Sequence, residues 1–182
     1  TFNTRMDFRT MGALLLIEAV FMTLALGVSL WYGEADSGIF LLSTIITLLA
    51  GVIGLMVGRR AESRMGEREG YVIVAMVWVV FSAFGLLPDY LSGQVNSITD
   101  AWFESMSGFT TTGATIIPDL NVITHGLLFW RSLTQWIGGM GIIVLSIAIL
   151  PIFGLNGMQL YAAEVSGLTY EKVSPRIADT AK

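Results

Sequence analysis

The stretch SITDAWFESMSGFTTTGATIIP, residues 97–118, decides the fold, because it fits neither a membrane span nor an ordinary turn. Its first part, 97–109, reads as a helix. Ser97 with Asp100 three residues later has the form of a capping box. A helix rises about 1.5 Å per residue and a hydrocarbon core is about 30 Å thick, so this one is too short to cross. It runs into Thr110-Thr111-Thr112-Gly113-Ala114-Thr115, and Pro118 lies just beyond. A short helix that meets a Thr/Gly cluster predicts a re-entrant segment; the plainer alternative is an amphipathic helix lying on a membrane surface.

The sequence on either side favours the first reading. The chain is 54% hydrophobic and 13% charged, whereas a soluble domain carries roughly a quarter charged residues and needs them for a wetted shell. Four stretches have the roughly 20 mostly apolar residues of a spanning helix. They are 11–32 with Glu18 as its only charge, 39–57 with none, 71–87 ended by Pro88, and 127–151 broken only by Arg131. In the bilayer core each backbone amide must be satisfied within its own segment, so these are helices. The expected fold class is an all-α membrane protein: two N-terminal spans (1–60), a basic loop (61–70), a helix–loop–helix unit (71–151) and a connector leading to a further unit (152–182).

Basic residues give the orientation. Arg5 and Arg9 precede the first span, Arg59, Arg60, Arg64 and Arg68 lie between the second and third, and Lys172, Arg176 and Lys182 follow the fourth. The loop at 33–38 holds Glu34 and Asp36 and no cation. The positive-inside rule then puts both ends of this segment in the cytoplasm, and residues 88–126 enter from outside.

At membrane depth, irregular backbone is tolerated only where it is buried in protein or lines a wet cavity. A Thr-rich segment ending in glycine offers a row of carbonyl oxygens, and Gly113 can take dihedrals closed to other residues. Rings of such carbonyls replace the hydration shell of a cation in potassium filters. The preceding helix would direct the negative end of its dipole at the ion. The chain has one such loop and no internal repeat of the unit. Either four copies assemble, or further units follow downstream; Ser174-Pro175 reads as an N-cap followed by proline at the first helical position, which favours the second. The expectation is that the natural protein continues and that this segment alone does not conduct.

The run DAWFESMSGF (100–109) followed by TTTGAT resembles the first pore loop of the TrkH family of bacterial potassium uptake proteins, within the wider superfamily that also holds KtrB. So do QWIGGMGIIVL (135–145), AILP (148–151), GMQLY (157–161) and PRIA (175–178). The resemblance covers essentially the whole chain. It implies two extra N-terminal helices and then the first of four helix–loop–helix units around one pore. It implies K+ held by the backbone carbonyls of Thr111 and Thr112, with Thr110, Gly113 and Ala114 supporting the filter. It also implies a bacterial inner-membrane location, a homodimer, and gating by a cytosolic nucleotide-binding ring, TrkA.

The remaining residues give weaker signals. Glu104 and Arg131 are each unpartnered charges near membrane depth, so the two are expected to pair, or Glu104 to hydrogen-bond behind the loop. The competing reading has Arg131 snorkelling to the interface. Glu18 is a default ion-pathway carboxylate, read more simply as a packing residue. His125 stands alone in an outer loop and makes no metal site. Gly138-Gly139-Met140-Gly141 signals close helix packing rather than phosphate binding, and Gly54 with Gly58 is either a dimer contact or packing within the monomer. No nucleophile–base arrangement argues for an enzyme, and a net charge of −4 gives no basic patch for nucleic acid. The competing functions are a non-conducting membrane scaffold and a self-tetramerising channel.

Overall fold

The computed structural model describes residues 4–59 and 67–149. Their regular structure is six α-helices and one 3-10 turn. The helices are α1 (Thr4–Tyr32), α2 (Ser37–Val57), α3 (Glu67–Gly85), α4 (Leu87–Leu91), α5 (Ile98–Phe109) and α6 (His125–Ile149), with the 3-10 turn at Leu120–Val122. The all-helical expectation holds. The connector 152–182, the helix start at Ser174, and the basic residues Arg60, Arg64, Lys172, Arg176 and Lys182 lie outside the described residues.

Among the described residues three helices are long and apolar enough to cross a membrane: Met6–Tyr32, Ser37–Val57 and Val72–Leu91. α1 starts earlier than the apolar run at 11, because nothing in 4–10 breaks a helix. Pro88 does not end the third span. It falls in the first turn of α4, where a missing N–H costs no helical bond. α6 has the length of the expected fourth span, 25 residues; residues 150 and 151 of that expectation lie outside the described residues, and the first half of α6 carries Arg131, Thr134 and Gln135. Each of the three faces α5 or the loop after it.

α1 and α2 form an antiparallel hairpin whose backbones touch. A Cβ on Gly12 would stand 2.6 Å from Leu55 N and 2.7 Å from the Gly51 carbonyl oxygen, and one on Gly54 would stand 2.9 Å from Gly12 Cα. Small residues let helices approach where lipid removes the hydrophobic drive. Gly54 is thus used within the monomer, and Gly58 closes α2 by donating its N–H to the Gly54 carbonyl at 3.0 Å. The hydroxyls of Ser43, Thr44 and Thr47 bond back to carbonyls four residues earlier, so these buried polar side chains satisfy themselves. The opposite face of α2 exposes Leu41, Ile45, Leu49, Ile53 and Met56, an apolar surface suited to lipid. One core cluster joins the hairpin to the rest, built on Met22, Phe40, Phe81, Phe109, Leu127 and Trp130.

The hairpin turn clasps the start of α6. Glu34 Oε1 accepts the His125 N–H at 2.6 Å and Oε2 accepts the Gly126 N–H at 3.0 Å. The His125 ring approaches the same carboxylate at 2.8 Å and stacks on Tyr32 with ring centroids 4.0 Å apart. Asp36 accepts from Ser29 Oγ at 2.6 Å and from the Thr124 hydroxyl. Burial alone would raise the Glu34 carboxyl; the Gly126 and His125 amides and the His125 ring outweigh it and hold the group below its ordinary value. His125 is therefore the first residue of α6, capped from a distant part of the chain, rather than a loop residue.

Candidate functional site

The site is built on the C-terminal end of α5. Ser97 starts that helix, accepting the Thr99 N–H at 3.2 Å; the hydroxyl caps at Thr99 rather than at Asp100. α5 ends at Phe109 in a Schellman pattern. Thr112 N–H donates to the Ser107 carbonyl at 3.0 Å and Thr111 N–H to the Gly108 carbonyl at 3.0 Å. That pattern places one residue in the left-handed region, usually glycine. Here it is Thr111, with φ 57°, and Gly113 follows with φ 74°. A non-glycine residue in this region costs about 1–2 kcal/mol.

The backbone then runs free. Among the described residues the carbonyls of Thr110, Thr111, Thr112 and Gly113 accept no hydrogen bond, and residues 110–116 are exposed. The next carbonyl does not share this freedom: Ala114 accepts from Ser107 Oγ at 2.7 Å. Thr110 Oγ1 reaches the Met106 carbonyl at 2.7 Å and lies 2.9 Å from Thr112 Oγ1. The loop is thus tied down at both ends, with four adjacent carbonyls left over.

Behind it stands a charged anchor. Glu104, 4% exposed, accepts from Thr115 Oγ1 at 2.8 Å and from the Ile116 N–H at 2.5 Å, and its other oxygen pairs with Arg131 of α6. Both halves of the expectation for Glu104 hold: it pairs with Arg131 and it holds the chain behind the loop. Asp89 lies within electrostatic reach of both. A carboxylate that accepts several bonds and faces a guanidinium is satisfied in a low-dielectric setting where a lone charge is not.

Two glycines let the parts close up. A Cβ on Gly138 would stand 1.9 Å from the Phe109 carbonyl oxygen, and one on Gly108 would stand 2.3 Å from Thr134 Oγ1. The glycine run in α6 therefore serves close packing, as its sequence implied. Gln135 Nε2 lies 3.6 Å from the position a Gly113 Cβ would take. Trp130 Nε1 donates to the Gly85 carbonyl at 3.0 Å and fixes α6 to the end of α3.

Thr110 to Ala114, picked out from sequence, fall together on one loop. Thr115, the last residue of the expected loop, is the one bonded to Glu104; Ser107, Asp89 and Gln135 were not singled out, and only the folded chain brings them near the loop or its anchor. No group of three or more His, Asp or Glu side chains able to hold a metal occurs among the described residues.

The chain resembles known proteins over almost its whole length. A family described as TrkH, cation transport protein, matches residues 26–182. The Trk system potassium uptake protein TrkH of Salmonella typhimurium is 45% identical over 96% of this chain and 36% of its own length. The Trk system potassium uptake protein TrkG of Escherichia coli is 33% identical over 100% of this chain and 38% of its own. The crystal structure of the potassium transporter TrkH from Vibrio parahaemolyticus superposes with a TM-score of 0.79 at 36% identity, covering 99% of this chain and 36% of that one. The chain thus spans little more than a third of the relatives it matches.

Proposed function

The chain belongs to the TrkH family of cation transport proteins, and from that premise we propose that it supplies one of four segments of a potassium filter in a bacterial uptake system. Thr111 and Thr112 present carbonyls to K+, Thr110, Gly113 and Ala114 shape and anchor the segment, and α5 turns its negative end toward the ion. The observation that carries this reading is the run of four carbonyls at 110–113, exposed and without a partner among the described residues, while the backbone just beyond is bonded to Ser107 and Glu104. At membrane depth, backbone carbonyls enclosed by further segments need a partner; four free in a row suit a cation in place of a hydrogen-bond donor.

One segment cannot surround an ion, so three more, from the same polypeptide, complete the ring. The wider assembly is a homodimer in the inner membrane, amid lipid, with both ends of this segment cytoplasmic and a TrkA-like nucleotide-binding ring gating flow from that side. The protein moves an ion down its gradient and is not an enzyme.

The test uses the complete gene product in a potassium-uptake-deficient strain. Gly113→Ser should cut rubidium uptake and lower its preference over sodium, since φ 74° strains any side chain. Unchanged uptake and selectivity would remove the filter assignment. Wild-type protein that fails to restore growth would favour a scaffold instead.

A further inference from the structure

Two buried polar groups take no part in the network behind the loop. Among the described residues both carboxylate oxygens of Glu18 and the hydroxyl of Ser105 lack a hydrogen-bond partner, at 1% and 3% exposure. They come from different elements, α1 and α5, and meet at the bare face of Gly85 in α3. Glu18 Oε1 is 3.2 Å and Ser105 Oγ 2.8 Å from the point where a Gly85 Cβ would stand, and Phe109 Cε2 is 2.5 Å from it. The two oxygens therefore lie within the sum of the first two distances of each other. Two hydrogen bonds through one water reach across about 5.5 Å at most, and most separations below that ceiling lie within this reach. A methyl group at position 85 would close the approach.

Buried polar atoms are nearly always paired, often by an internal water. An unpaired carboxylate in this setting costs several kcal/mol, and the ion pairs among the described residues, His125–Glu34 and Arg131–Glu104, lie elsewhere. A neutral carboxylic acid offers one donor and retains an acceptor, which suits a water shared with a hydroxyl. We propose that Glu18, as the neutral acid, holds one internal water with Ser105 beside Gly85, and that this bridge makes Glu18 a positioning residue for α5. Ser105 stands between Glu104 and Ser107 on α5, the residues that anchor Ile116 and Ala114. A shift of α5 at this point moves both anchors of the loop, so the N-terminal hairpin helps set where the carbonyls stand.

The effect on transport rests on the filter reading; the chemistry at Glu18 does not. Infrared difference spectra of the purified complete protein should show a protonated-carboxyl C=O band at neutral pH that Glu18→Gln removes. A spectrum without such a band overturns the proposal. In rubidium uptake, Glu18→Gln should stay within about twofold of wild type, because the amide keeps a donor and an acceptor. Glu18→Ala and Ser105→Ala should each lose roughly three- to tenfold and lower the preference over sodium, and the double variant should be no worse than the weaker single, as for groups acting as one unit. Additive losses, or a Glu18→Gln variant as poor as Glu18→Ala, overturn it; the latter would point to a carboxylate binding a cation. Gly113→Ser, run in parallel, separates the two readings: unchanged selectivity there removes the filter while the infrared band still decides Glu18.

Discussion

Two helix ends in this chain are closed by the same pair of backbone bonds and filled by different residues. At the end of α1, Glu34 N–H donates to the Ser29 carbonyl and Gly33 N–H to the Leu30 carbonyl, with Gly33 at φ 65°. At the end of α5, Thr112 and Thr111 repeat the pattern, with Thr111 at φ 57°. The first end takes the residue that fits it at no steric cost. The second carries a β-branched residue in a region where it is an outlier, and holds it with Glu104, Ser107 and Gly138 packed behind. Strain kept in this way is a mark of sites where backbone direction matters. The α1 end turns the chain and brings Glu34 to the start of α6; the α5 end leaves four adjacent carbonyls unpaired among the described residues.

If the second end depends on the structure behind it, removing that support has the largest effect. Glu104→Gln leaves the half-buried Arg131 charge without its partner and weakens the hold on Thr115 and Ile116. A loss of about 3–5 kcal/mol is expected, read as reduced thermal stability in detergent, with Asp89 keeping it toward the lower figure. Adding Arg131→Gln should recover part of that loss; fully additive losses would deny the pairing.

Placing the strain at the other end is the next test. Gly33→Thr meets open space, since nothing lies within 4 Å of its Cβ position, so its cost is conformational alone, about 1–2 kcal/mol. Transport selectivity should not move, because this end presents nothing to an ion.

The α1 end has a chemical dependence of its own. The Glu34 carboxyl is held below its ordinary value, so its contribution is present above the normal glutamate range and is lost as pH falls through the lowered folded value. Acid melts should show this loss, and Glu34→Gln should remove the acid dependence with a cost of about 1 kcal/mol, as for a lost helix cap. An unchanged acid profile in that variant would contradict the assignment.

Thr111→Gly has the smallest effect on stability and the most informative. Relief of the left-handed penalty and the added backbone freedom of glycine nearly cancel, so the melt should shift by less than about 1 kcal/mol. Rubidium preference over sodium should fall if the threonine fixes the path. A variant that keeps both stability and selectivity would make the two helix ends equivalent.

Much of this was legible in the residues. The short helix at 97–109 showed in its cap and length, the spans in their apolar runs, and the loop in its Thr/Gly composition. What stayed hidden depends on partners far along the chain. His125 read as a loop residue because its helix cap, Glu34, lies 91 positions away. Ser107 looked like any small residue of a helix, and its bond to Ala114 exists only once the chain has turned left-handed at Thr111. Gly54 and Gly58 had the spacing of a dimer motif, but only the Gly12 backbone shows which surface Gly54 serves. Arg131 could equally have reached for water; Glu104 across the gap decided it.

Gly138 resting on the Phe109 carbonyl has a mechanical consequence. With no side chain between the α6 backbone and the end of α5, no rotamer is available to absorb a displacement. Close-packed interiors pass strain on rather than yielding to it. The joint works as a bearing without play, which couples a sideways movement of α6 at this level directly to the residue that precedes the loop.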